Sequence, residues 1–199
     1  MSNTHCNLCI SNLIKREGIY SNDPNDNGKE TVFGISRAKN PEWEGWATVD
    51  KIIPGLRQET ISKEFNVRNF LLIKAHEFYR KWWESLRLDR FPKKIATEIF
   101  DTSVNQGKST AITYLQESLK LITGKNIDVD GIIGPQTIGV MEEFINLKNA
   151  YRNPESNTRV LLILLNYFQA EKYVNLVNKD PKQRKFIYGW VLNRLDYTE

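Results

Sequence analysis

Arg16-Glu17-Gly18-Ile19-Tyr20, then Asp23-Pro24-Asn25-Asp26-Asn27-Gly28-Lys29-Glu30-Thr31, closing on Phe33-Gly34-Ile35, is the stretch around which this 199-residue chain is organised. A helical pattern leads into it, because Cys6, Cys9, Ile10, Leu13, Ile14 and Glu17 recur at steps of three and four. Glu17 therefore belongs on or beside the apolar face of that helix, and Gly18 is placed to end it as a left-handed cap. A carboxylate there is partly desolvated and faces the negative end of a helix dipole. Those are the conditions for a general acid working near neutral pH. Asp26 follows in a run of turn formers, Asn22 to Gly28, and Thr31 opens the short β-like run Thr31-Val32-Phe33. A calcium loop fits this run less well, since an EF-hand needs alternating ligands and a closing Glu at its twelfth position.

A helix-end Glu, a loop Asp and a strand Thr resemble the Glu-Asp-Thr catalytic set of phage-type lysozymes. Glu-Gly-x-Tyr, Asn-Asp-Pro-x-Asp and Gly-x-x-Thr-x-x-Gly-Ile, as they stand between Glu17 and Ile35, resemble the signature of the glycoside hydrolase family 108 muramidases. That family includes phage endolysins and secretion activators. Ile19 and Lys29 stand where the family usually has Gly. The resemblance implies Glu17 as the acid that protonates the leaving oxygen. It implies Asp26 as the group that orients or deprotonates the attacking water or stabilises oxocarbenium-like charge, and Thr31 as the holder of that water. Tyr20, within the same motif, is a candidate substrate-binding residue. No metal or organic cofactor is expected for this chemistry.

Composition is that of an ordinary soluble globular protein, with 40% hydrophobic and 26% charged residues. The length suits one domain or two small ones. A net charge of +4 suits an anionic partner, and peptidoglycan carries carboxylates on its peptides. Nucleic acid would fit the sign, but no Lys/Arg-dense tract or recognition motif points to it. Cys6 and Cys9 form a Cys-x-x-Cys without the second pair that a zinc ribbon needs. They are expected to be reduced, packed core residues. The N-terminal stretch reads as no signal peptide and no run reaches transmembrane length, so no stable membrane insertion is expected. A cell-wall enzyme of this kind would be made in the cytoplasm and reach the wall through a holin or a dedicated export route.

Along the chain, helices are expected over residues 3–17, about 67–86, from Pro92 to Gly107, and over 109–122, 135–148, 157–178 and 182–195. Phe70, Leu71, Ile73, Phe78, Trp82 and Leu86 are the expected buried face of the second of these. Trp82-Trp83 could pack in the core or wall a sugar cleft. Arg90-Phe91-Pro92 reads as the boundary between two modules, a lysozyme-like catalytic region over 1–90 and a helical, predicted peptidoglycan-binding region over 91–199, with no linker between them. The run Phe100 to Gly107 resembles a signature of that second region. Its Asn105 and Gln106 are candidate substrate-binding amides, able to bond sugar hydroxyls or acetamido groups, or else to cap backbone. Val129-Asp130-Gly131-Ile132-Ile133-Gly134-Pro135-Gln136-Thr137 carries an Asp-Gly turn and a Pro-initiated helix, a pattern shared with several cell-wall-binding modules.

The expected architecture is mainly α, a lysozyme-like fold with a small β hairpin in the catalytic half and a helical C-terminal region packed on it as one unit. The expected function is that of a peptidoglycan hydrolase, an N-acetylmuramidase. The alternatives are a non-catalytic peptidoglycan-binding module or a lysozyme-like hydrolase of another polymer such as chitin.

Overall fold

The computed structural model describes residues 2–22 and 30–195. Its backbone divides between Ser85 and Leu86 into two compact units. The fold is mainly α with one small antiparallel sheet, as a lysozyme-like architecture requires.

The first unit begins with α1, Ser2–Glu17. Its Cys6, Cys9, Ile10, Leu13 and Ile14 are all buried, which is the face that the three-and-four spacing anticipates. The two cysteines form no disulfide, and the Cys9 sulfur lies 3.5 Å from Nε2 of His5. Gly18 takes φ +78° and ends the helix. Ile19 is not among the residues with positive φ, so an isoleucine needs no strain there. The sheet follows as β1 (Tyr20–Asn22), β2 (Glu30–Val32) and β3 (Ile35–Ser36), in that spatial order and antiparallel throughout. It is a strand richer than the expected hairpin, because Phe33 and Gly34 turn the chain at once into β3. A short helix α2 (Trp46–Val49), a 3₁₀ turn at Pro54–Leu56 and α3 (Arg57–Lys63) lead to α4 (Phe65–Ser85).

α4 packs on α1, and Arg80 donates to the Asn7 side chain while His5 meets Trp83 edge-on at 5.8 Å. Its buried face is Leu71, Ala75, Tyr79 and Trp83, a strict step of four. The expected face was partly wrong. Phe70 and Ile73 are exposed, Trp82 is half-buried against Phe78, and Trp83 is the core tryptophan. The helix carries apolar residues on two sides, so periodicity alone did not distinguish the side that meets α1.

The second unit holds α5 (Lys93–Gln106), α6 (Lys108–Thr123), α7 (Pro135–Asn146), α8 (Pro154–Lys179) and α9 (Arg184–Arg194). α8 is the central element, touching α5, α6, α7 and α9. It starts from a capping box in which the Asn153 side chain accepts from the Ser156 amide and Ser156 Oγ accepts from the Asn153 amide, with Pro154 at the first helical position. Gln116, on α6 and 1% exposed, builds the Asp130-Gly131 turn. Its amide donates to Asp130 Oδ1 (2.8 Å) and to the Ile132 carbonyl (3.1 Å), and its oxygen accepts from the Gly131 amide (2.9 Å). Asn157 holds the end of α7 in a similar way, donating to the carbonyls of Phe144, Ile145 and Leu147 in the last turn and cap of the helix.

Candidate active site

Glu17 is the last residue of α1 and is half-buried. The β2–β3 turn closes on its side chain. A β-carbon at Gly34 would fall 2.7 Å from Cγ and 2.8 Å from Cβ of Glu17, and 2.9 Å from the Tyr79 hydroxyl. Only a glycine allows that approach, and Gly34 also sits at φ +81°. The turn is held from two directions. The Phe33 amide donates to the Ile19 carbonyl (3.0 Å), just past the end of α1, and the buried Tyr79 hydroxyl donates to the Phe33 carbonyl (2.9 Å). The Gly-Ile end of the sequence motif is therefore a wall for the Glu17 side chain.

Thr31 is the middle residue of β2, paired with Ser21 on one side and Ser36 on the other. Side chains alternate along a strand, so Thr31 shares its face with those two serines, while Glu30 and Val32 point the other way and are buried. Glu30 is 7% exposed and accepts from Tyr20 Oη (2.9 Å), Arg37 Nε (2.7 Å) and Arg57 Nη1 (2.8 Å). Both guanidinium groups also reach Asp50, at 2.7 Å from Arg37 and 3.3 Å from Arg57. Arg37 lies over the Trp46 ring at 4.2 Å. A carboxylate buried this deeply needs such partners. The hydrogen bond from Arg37 holds the Asp50 carboxyl below its ordinary range. Burial first, and then the bond to Glu30, push the Tyr20 phenol upward.

Tyr20 was expected as a substrate contact, and its hydroxyl is engaged inside this network. Glu30, Arg37, Asp50 and Arg57 were not anticipated. Glu30 had a signal, since period two along Glu30-Thr31-Val32 puts it in phase with the apolar Val32. Its partners had none, since they come from well-separated places in the chain.

Asn105 and Gln106 lie in the second unit, at the C-terminal end of α5. Asn105 donates to Tyr173 Oη (2.8 Å), and Gln106 Oε1 accepts from Tyr114 Oη (2.9 Å). The Gln106 side chain also acts on the neighbouring Tyr173 phenol, drawing it down against the larger upward push of burial. Tyr114 stacks on Phe168, Tyr173 on Trp190, and burial raises the Tyr114 phenol to about 12. Asp26 and Lys29 lie outside the described residues. Among the described residues no group of three or more His, Cys, Asp or Glu side chains is arranged to hold a metal ion.

Residues 10–107 match the family model for glycosyl hydrolase 108, and residues 110–195 match that of the predicted peptidoglycan domain. By these matches the N-terminal region of the chain belongs to the glycosyl hydrolase 108 family and is followed by a C-terminal predicted peptidoglycan domain. The solved structure of SagA from Brucella abortus has the same fold, with a TM-score of 0.56 at 18% identity, covering 96% of this chain and 97% of that one. No curated protein matches the sequence. The glycosidase match runs through α5 to Gly107, so the run Phe100 to Gly107 falls within it. By its backbone contacts the same run belongs to the second compact unit, which begins at Leu86. The chain is thus a lysozyme-like, peptidoglycan-related protein, and no helix among the described residues is long and apolar enough to cross a membrane.

Proposed function

We propose that the chain is an N-acetylmuramidase that hydrolyses the bond from N-acetylmuramic acid to N-acetylglucosamine in peptidoglycan. The observation that carries this reading is the placement of Glu17, at the end of α1, walled by Gly34 and followed by a sheet that presents Thr31 on its middle strand. Glu17 donates a proton to the leaving glycosidic oxygen. Asp26 orients or deprotonates the water that adds to the anomeric carbon, and Thr31 holds that water. Proton and hydroxyl are both supplied, so no cofactor enters. Asn105 and Gln106 bind the glycan through their side-chain amides. The enzyme acts at the cell wall, reaching it through a holin or an export system.

The test is digestion of purified sacculi followed by mass spectrometry of the soluble muropeptides. New reducing ends on muramic acid are expected. A flat turnover assay with intact, folded protein would mean a binding module instead, and release of products from chitin but not from sacculi would mean another polymer.

A further inference from the structure

We propose that Tyr79 is a positioning residue for Glu17, acting through the Phe33-Gly34 turn; this rests on the reading of Glu17 as the acid. Tyr79 belongs to the buried stripe of α4 and is 1% exposed. A phenylalanine would fill that volume equally well, yet the position carries a hydroxyl. That hydroxyl donates to the Phe33 carbonyl at 2.9 Å. Phe33 is one of two non-glycine residues with positive φ among the described residues, at +49°. A bulky side chain in the left-handed region costs about 1 kcal/mol or more and persists only where its surroundings impose it. The imposing contacts are the bonds on its two sides: its amide to Ile19, its carbonyl to Tyr79. The strained turn then brings Gly34 so near to Glu17 that no β-carbon fits between them.

Three features thus converge on one side chain. α1 delivers Glu17 at its terminus, the turn limits where its Cβ and Cγ can lie, and α4 holds the turn in place through one hydroxyl. A general acid must meet the leaving oxygen within hydrogen-bond reach, and a small misplacement costs rate far more than it costs binding. The bond from Tyr79 therefore acts on turnover, while the glycan grip is left to other groups.

Tyr79→Phe removes the hydroxyl alone. The experiment measures kcat and KM on soluble glycan strands, per folded molecule, for wild type, Tyr79→Phe, Gly34→Ala and Glu17→Gln. Expected for Tyr79→Phe is a fall in kcat of about ten- to a hundredfold with KM within a factor of about two, in a protein that still melts cooperatively. Gly34→Ala presses on Glu17 from the other side and is expected to show the same split, and it carries the test alone should Tyr79→Phe not fold. Wild-type kcat in either folded variant, or a loss that tracks only the folded fraction, would overturn the proposal. Glu17→Gln separates the two layers. If it is inactive while Tyr79→Phe and Gly34→Ala turn over normally, only the positioning role fails. If Glu17→Gln itself is active, the acid assignment fails instead.

Discussion

Glu30 in the first unit and Gln116 in the second are both buried polar hubs, and they organise their surroundings in opposite ways. Glu30 is a carboxylate and can only accept, so its partners must be donors. The chain supplies them from β1 (Tyr20), from beyond β3 (Arg37) and from the start of α3 (Arg57). Gln116 carries a donor and an acceptor on one amide, which matches the peptide group. It can therefore grip a single turn, 130–132, by its own backbone and side chain, and reach Thr137 as well. A buried charge ties distant segments together; a buried amide shapes one loop. The first arrangement surrounds the sheet that carries Thr31, and the second sets the entry to α7.

The sharpest way to break this comparison is through activity. If the chemistry resides in the first unit, Glu17→Gln should lower muramidase activity by about 10²–10⁴-fold with the fold intact, which is the usual worth of general acid catalysis. Asp26→Asn should also be severe, and Thr31→Ala milder, since a water held less well is not lost. The product should be the inverted anomer. Inversion needs the carboxyl groups of Glu17 and Asp26 roughly 6.5–9.5 Å apart, against about 5–5.5 Å for a retaining pair. A retained first-formed anomer, read by proton NMR, would contradict the assignment.

Stability comes next. Glu30→Ala takes away the buried one of the two carboxylates that Arg37 and Arg57 share and leaves them Asp50, so the loss should be that of charged hydrogen bonds, about 1.5–3 kcal/mol. Chemical denaturation should show that loss at neutral pH. Gln116→Ala orphans the Gly131 amide and should cost about 2 kcal/mol, with activity per folded molecule close to wild type. Gln116→Glu should be worse than Gln116→Ala, because it removes the donor and sets a second carboxylate against Asp130. If the glutamate variant were as stable as wild type, the amide's two-way character would not be what the turn requires.

The smallest expected effect is at alkaline pH. Burial raises the Tyr114 phenol from its ordinary 10.0 to about 12 in the folded protein. The folded state then binds more proton than the unfolded state between those values, so stability should fall as pH rises from about 10 to about 12. Ultraviolet titration of the phenolates should show a late-ionising component, and Tyr114→Phe should reduce it by one tyrosine, leaving any contribution from Tyr20 and Tyr173, whose phenols burial also raises.

Much of the frame was legible in the residues themselves. The three-and-four spacing from Cys6 to Glu17, Gly18 as cap, Gly107 after α5 and Pro135 at the start of α7 are local signals, and each marks an element boundary within a residue or two of where the structure has it. Glu17 at a helix end and Thr31 on a strand were likewise readable from the motif. Other features depended on contacts between segments far apart in the chain. The choice of Leu71, Ala75, Tyr79 and Trp83 over Phe70 and Ile73 as the buried face of α4 was made by where α1 lies. The Glu30 cluster needed Arg37, Asp50 and Arg57 to arrive from separate elements. The approach of Gly34 to Glu17 joins the end of a helix to a turn beyond two strands, and Tyr79 reaches it from 46 residues past Phe33. Local backbone preferences write themselves into short runs of sequence, whereas the burial of a charge or the closing of a wall depends on which surfaces meet, and that is decided only when the chain has folded.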